Sequence, residues 1–231
     1  MTAQRLRVWF RKGERVRYIS HLDVLRHWER AIRRAGLPLS YSQGFTPHPK
    51  LQFAGPLPLG FVADAEIVDV TLDTRVPVEE FRARVAANTT PDLALVAVKE
   101  VPPGAPPPQA VVTWADYDVH IPGVDLSCAV PAVAAFLARA EFPWTEERKD
   151  RQRTYDLRAG VARLQAAAGD EGGTVISMRL AAHQDNTVRP EQVVAAILPG
   201  AEPALIRRRA LHLQESSPAH DAYRRRGRFL E

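Results

Sequence analysis

Two short runs hold the side chains most able to do chemistry. His21 and Asp23 lie two residues apart in Ser20-His21-Leu22-Asp23, and His48 sits in Gly44-Phe45-Thr46-Pro47-His48-Pro49. An imidazole near a carboxylate is the pairing used for general acid/base catalysis, and a larger group of the same types can hold a metal ion. Each residue also has a plainer role open to it. Asp23 suits the first turn of a helix, where a carboxylate caps amides and meets the positive end of the dipole, and His21 suits packing. His21, Asp23, His27 and His48 lack the correlated spacing of zinc or iron sites, so no metal is assigned. Ser20, Ser40 and Ser42 lie outside any G-x-S-x-G elbow, and Cys128 has no basic neighbour to activate it. Gly55 to Gly60 matches neither a P-loop nor a dinucleotide fingerprint, so no cofactor is expected. The expected catalytic set is therefore empty, with His21, Asp23 and His48 as its weak candidates.

A stronger signal is cationic. Residues 1–60 hold 11 Lys/Arg against 3 Asp/Glu, and residues 61–120 hold 4 against 10, within a chain of net charge +4. Only four of the 31 basic residues are lysine, and the planar guanidinium suits bidentate phosphate recognition. A GC-rich coding sequence would also favour Arg over Lys, but it would not load one quarter of the chain. Arg5, Arg7, Arg11, Lys12, Arg15, Arg17, Arg26, Arg30, Arg33 and Arg34 are interleaved with Trp9, Tyr18, Tyr41 and Phe45. Cations attract phosphates and exposed rings stack on unpaired bases, so the expected RNA-binding residues are Arg17, Arg26, Arg30, Arg33, Arg34, Tyr41, Phe45, His48 and Lys50. Arg207-Arg208-Arg209 forms a weaker satellite, in which Arg207 and Arg209 share a strand face.

The elements that must position these groups follow from periodicity. Arg5 to Phe10 alternates as a strand. Ser20-x-x-Asp23 has capping-box form and opens a helix that Gly36 and Pro38 close. Leu22, Leu25, Trp28 and Ile32 then face the core, with Arg26, Arg30, Arg33 and Arg34 on the outer side. Leu39 to Ser42 and Leu51 to Ala54 read as short extended pieces on either side of the Gly44 to Lys50 segment, which two prolines make a rigid loop. Glu66 to Leu72 and Leu93 to Val101 read as strands around a helix opened by Pro77, completing a β-α-β-β-α-β order.

At 231 residues the chain is long enough for two compact domains. The proline-rich stretch Val101 to Pro108 reads as a stiff connection. Beyond it come strands at Trp114 to Ile121, Thr174 to Ala181 and Ala204 to Leu213, extended pieces within Trp144 to Leu157, and helices at Val130 to Ala140 and Pro190 to Leu198. The expected organisation is a domain over 1–101, a linker over 102–113, a second domain over 114–214 and an arginine-rich flexible tail over 215–231. No apolar run spans a bilayer and Met1 to Gly13 is too charged for a secretory signal, so a cytoplasmic protein without a membrane partner is expected. A single cysteine excludes an internal disulfide and a cluster held by cysteines of this chain alone.

The run Arg17-Tyr18-Ile19-Ser20-His21-Leu22-Asp23, then Glu29 to Pro38, Tyr41 to Lys50, Leu57 to Gly60 and Glu66, resembles the DUF2344 family, also called the radical SAM-linked proteins. Similarity continues through Tyr155 to Arg158 and Arg189-Pro190 to about Leu213. The resemblance implies an accessory protein working beside a radical S-adenosylmethionine protein that carries the iron–sulfur cluster. The element order is similar to the tandem ferredoxin-like (βαββαβ) domains of the repeat-associated (RAMP-like) RNA-binding proteins, an α+β architecture. Some of those cleave RNA with a histidine near the first helix, where His21 would stand. Their glycine-rich loop after the second helix is replaced here by Asn88-Thr89-Thr90-Pro91. The expected function is accessory RNA binding to a tRNA or rRNA element. The alternatives are a protein-docking subunit without RNA contact and a metal-independent ribonuclease using His21.

Overall fold

A computed structural model describes residues 4–102, 104–148, 151–170, 172–183 and 186–214. The arginine-rich tail expected over 215–231 lies outside the described residues. The first half contributes β1 (Gln4–Lys12), α1 (His21–Arg34), β2 (Leu51–Phe53), β3 (Phe61–Leu72), α2 (Val78–Ala86) and β4 (Leu95–Val101). The second contributes β5 (Val112–Ile121), α3 (Leu126–Leu137), β6 (Pro143–Arg148), β7 (Arg151–Asp156), β8 (Val161–Ala168), β9 (Thr174–His183), β10 (Asn186–Thr187), α4 (Pro190–Ile197) and β11 (Leu205–Leu213).

Among the described residues, nine strands form one mixed, mostly antiparallel sheet, and β6 and β7 form a separate ribbon. Neighbouring strands run β4-β1-β3-β2 in the first half and β11-β5-β9-β8 in the second, antiparallel throughout. The halves meet along a parallel pairing in which Ile206, Arg207 and Arg208 of β11 lie beside Phe61, Val62 and Ala63 of β3. β3 is long enough to serve both halves. Its first residues pair with β11, and Val68 to Val70 pair with β2. Chain from both halves thus covers β3, which is buried over most of its length.

Alternation on β1 sorts its side chains. Leu6, Val8 and Phe10 join Val68, Val70 and Leu72 of β3 under α1 and α2, which add Val24, Trp28, Ile32, Phe81 and Val85. The expected inner face of α1 is corrected at two positions, and at one of them Leu25 is only half-buried and lies outside the core cluster. Leu22 is 59% exposed and Val24 takes a core place instead, because the buried stripe runs Val24, Trp28, Ala31, Ile32. A second core lies between the other half of the sheet and α3 and α4, built on Val119, Ile121, Phe136, Ile176, Leu180 and Val193.

The opposite face of the first half is covered by the proline-rich segment. Arg5 donates to the carbonyl oxygens of Ala105 and Pro106, each at 2.7 Å, and Pro108 is buried. The segment expected to act as a stiff spacer is held against the sheet by hydrogen bonds.

Candidate nucleic-acid interface

Helix α1 carries most of the expected site, and its start is fixed by a capping box. Ser20 Oγ accepts from the Asp23 amide at 3.2 Å, and the Ser20 amide donates to Asp23 Oδ2 at 3.1 Å. The Ser20 hydroxyl also donates to Asp23 Oδ2 at 2.7 Å. These bonds, aided by Arg26 and Arg30, hold the Asp23 carboxyl below its ordinary value. Asp23 is thereby engaged in helix initiation, with Arg26 as a looser partner at 3.7 Å.

His21 points elsewhere. Its ring meets Phe53 edge to face at 4.8 Å, and it lines a water-sized cavity of about 10 Å³ with Lys12, Val24 and Glu66. Burial lowers its proton affinity, partly offset by Glu66. Asp23 lines a different groove, on the side of Arg26 and Arg30. The structure therefore does not bring His21 and Asp23 together as an acid/base pair. His48 is exposed in the loop after α1, its amide donating to Ser42 Oγ at 2.9 Å. Among the described residues no three His, Cys, Asp or Glu side chains gather as a metal site.

Several cations outside α1 are neutralised by acids of the second quarter. Arg5 and Arg7 both bind Asp69, with Arg5 Nε at 2.8 Å from Oδ2 and Arg7 Nε at 2.7 Å from Oδ1. All three side chains are buried, so Arg5 and Arg7 do not belong to a surface patch. Arg207 binds Asp64 and Glu14, Arg209 binds Asp64 and Asp118, and Arg208 is buried against Glu66. Arg207 and Arg209 do share a strand face, as alternation requires, and that face is already paired. Lys12 is buried, its ammonium donating to the carbonyl oxygens of Arg17 and Ile19 at 2.9 and 3.3 Å. Burial lowers its proton affinity, against the pull of Glu66.

The outer side of α1 is different. Arg26, Arg30, Arg33 and Arg34 are all exposed, and among the described residues no carboxylate lies within ion-pair distance of Arg30, Arg33 or Arg34. Arg26, Arg30 and Arg34, spaced by four, line a groove of about 230 Å³ with Asp23, His27, Ala31 and Asn88. Arg33 lies round the helix toward the loop, where Tyr41 donates its hydroxyl proton to Glu29 Oε1 at 3.0 Å. Burial and this bond raise the Tyr41 phenol above its ordinary value, while Arg33 opposes them.

The loop stem is closed by a bridge between Tyr41 and Pro49 and by the Ser42 amide donating to the His48 carbonyl oxygen at 2.8 Å. At its tip Phe45 is fully exposed after Gly44, whose φ of +124° is open to glycine. Lys50 is exposed beside the stem. Of the aromatic residues expected near the cations, Trp9 packs in a small cluster with Ile67 and Val112, whereas Tyr18 is 70% exposed with the Arg17 guanidinium 4.7 Å above its ring.

Sequence reasoning missed His27 and Asn88 in the groove. His27 was marked by its spacing of three and seven from Arg30 and Arg34; Asn88 arrives from the end of α2, and only tertiary packing reveals it. A larger concavity of about 620 Å³ at the junction of the halves was also missed. It is lined by Glu14, Arg17, Asp118, His120, Asp170 and Arg207, whose charges are of both signs.

A family model described as "Uncharacterized protein conserved in bacteria (DUF2344)" matches residues 5–190. No curated protein matches the sequence. Among solved structures, the chain is similar to one in the crystal structure of a Cbf5-Nop10-Gar1 complex, at 14% identity and a TM-score of 0.49, over 91% of this chain and 50% of that one. It is also similar to one in the crystal structure of the archaeal box H/ACA sRNP Nop10-Cbf5 complex, at 13% identity and a TM-score of 0.43, over 91% and 49%. The chain thus spans about half the length of the chains it matches. No helix among the described residues is long and apolar enough to cross a membrane.

Proposed function

We propose, for a chain that belongs to the DUF2344 family of bacterial proteins, the role of an accessory RNA-binding protein. It holds a tRNA or rRNA element for modification by a separate radical S-adenosylmethionine enzyme. The architecture that supports this reading is a pair of ferredoxin-like repeats. The strand order β4-β1-β3-β2 recurs as β11-β5-β9-β8, and on this reading the repeats are units over 1–101 and 114–214 joined through 102–113.

The observation that carries the reading is the contrast between α1 and the paired cations elsewhere. Arg30, Arg33 and Arg34 lack carboxylate partners among the described residues, while Arg5, Arg7, Arg207, Arg208 and Arg209 are neutralised. Unneutralised guanidinium groups on a rigid helix attract phosphates and release counterions. Phe45, at the tip of a loop tied to α1 through Tyr41, supplies an exposed ring for a base, and Arg17 beside Tyr18, with His48 and Lys50, extends the contact surface.

The test titrates the full chain with tRNA and rRNA fragments over a salt series. Arg30→Glu with Arg33→Glu is expected to weaken binding by more than about tenfold and to make the salt slope shallower by about two, without lowering the melting temperature. Binding that ignores salt, or that survives the double reversal, rejects the reading.

A second reading, docking of the radical enzyme without RNA contact, is favoured by the exposed apolar side chains of Tyr18, Leu22 and Leu59. Co-purification of that enzyme through nuclease treatment, lost on Leu22→Asp, would select it. The ribonuclease alternative is not adopted, since His21 and Asp23 line separate cavities.

A further inference from the structure

We propose that the groove between α1 and the C-terminal end of α2 is a phosphate-binding site, formed by Arg30, Arg34 and the imidazole of His27, with Arg26 at its mouth. This deepens the RNA-binding reading and rests on it for the source of the phosphate. The site is more specific than a charged helix face, because it is a concavity with a buried donor.

Three observations converge. First, Arg26, Arg30 and Arg34 recur at four-residue spacing and all line the groove, so their guanidinium groups border one volume. Second, His27 Nε2 is buried and has no hydrogen-bond partner, although its residue lines the same groove. A buried ring nitrogen left unpaired costs free energy that a phosphate oxygen would recover by accepting from Nε2–H. Third, the one acid lining the groove, Asp23, is engaged by the Ser20 cap and by Arg26, leaving Arg30 and Arg34 without an anion. Burial lowers the proton affinity of His27, and Arg34 and Arg30 lower it further, so both guanidinium groups act on the imidazole. A dianion placed among the three would reverse that field.

The volume of about 230 Å³ far exceeds the roughly 10–15 Å³ that one water needs on this measure, so a phosphate with part of its hydration shell fits. The lining of arginines, with no Phe, Tyr or Trp among the described residues on which a base could stack, selects the phosphate group of the ligand. It is either a backbone phosphodiester or a terminal phosphomonoester of RNA, and the chemistry of recognition is shared by both.

The experiment follows the His27 imidazole resonances of the full chain by NMR during titration with inorganic phosphate. It then compares binding of a short oligoribonucleotide with and without a 5′ phosphate. A saturable His27 shift is expected, with a rise in its pKa. Arg34→Gln should weaken phosphate binding by about tenfold, and Arg163→Gln, at an exposed cation of β8 outside the groove, should leave it within about twofold. Loss of oligonucleotide affinity on removing the 5′ phosphate assigns the site to RNA ends; unchanged affinity that still depends on Arg34 assigns it to the backbone.

A His27 signal unmoved by phosphate, or equal losses in the Arg163 and Arg34 variants, overturns the site. If RNA binding nevertheless collapses in Arg30→Glu with Arg33→Glu, the broader helix patch stands without the groove. If phosphate saturates the groove but no RNA binds, the groove stands and the RNA reading falls.

Discussion

Arg208 of β11 and Glu66 of β3, 142 residues apart, form a buried two-pronged ion pair at the junction of the halves. Arg208 Nε donates to Glu66 Oε1 at 2.7 Å, and a second bond joins Nη2 to Oε2. Both side chains are nearly inaccessible, so neither charge has water to fall back on. The parallel pairing of β11 with β3 spans only Ile206 to Arg208. The ion pair therefore fixes register where few backbone bonds are available.

Removing one partner should be far worse than removing both. Glu66→Leu or Arg208→Met is expected to cost about 3–5 kcal/mol, because it strands a buried charge. Glu66→Leu combined with Arg208→Met should recover much of that loss. Urea denaturation of the four proteins closes the cycle. A double variant as unstable as the singles would show that the charges themselves are needed.

Asp69 is the corresponding anchor for the back of the first half. It receives Arg5 and Arg7, and Arg5 in turn holds the carbonyl oxygens of Ala105 and Pro106. Asp69→Asn should lower stability by about 3–5 kcal/mol and loosen the proline-rich segment. Limited proteolysis should then cut near residues 102–107 before the rest of the chain. Unchanged protection of that segment would contradict the anchoring role.

Much of this was legible beforehand, for physical reasons that differ by residue. The Ser20 capping box is local chemistry and was read from four residues. In the first half, strand and helix order follows from periodicity, including β1 and the helix after Pro77; in the second, β8 is missed and the extended pieces within Trp144 to Leu157 form the separate ribbon of β6 and β7. The neutralisation of Arg5 and Arg7 was not legible, since Asp69 reaches them only through the antiparallel register of β1 with β3. Leu22 fits a helical stripe on spacing alone, yet the stripe that packs on the sheet is Val24, Trp28 and Ile32, and Leu22 lies off it. The separation of His21 from Asp23 could have been read, because residues two apart on a helix do not face each other.

The cap itself makes a local prediction. Ser20→Ala removes the acceptor for the Asp23 amide and should destabilise the fold by about 1 kcal/mol. Because the Ser20 bonds are the main cause of the lowered Asp23 pKa, that pKa should rise toward its ordinary value of 3.8. Carboxyl titration by NMR reads both states. An Asp23 titration unchanged in the variant would assign the shift to the retained backbone amide of residue 20, with Arg26 and Arg30.

Acid should destabilise the protein in two separable windows. The proton affinities of His21 and His27 are lowered in the folded state by burial. Between the folded value and the ordinary value of 6.5, the unfolded chain binds more protons than the native one. Stability from these residues is therefore complete above about 6.5 and is lost as pH falls through the folded values. Asp23 and Asp116 are also lowered, by Ser20 and by Arg179, but their losses begin only near their ordinary value of 3.8. Urea melts between pH 7.5 and 4.5 should show the histidine window first. His27→Gln should flatten part of it, and His21→Gln a separate part. Inorganic phosphate, if it occupies the groove, should shrink the His27 share alone by raising that residue's folded pKa. A slope that persists unchanged in both glutamine variants would assign the window to other groups.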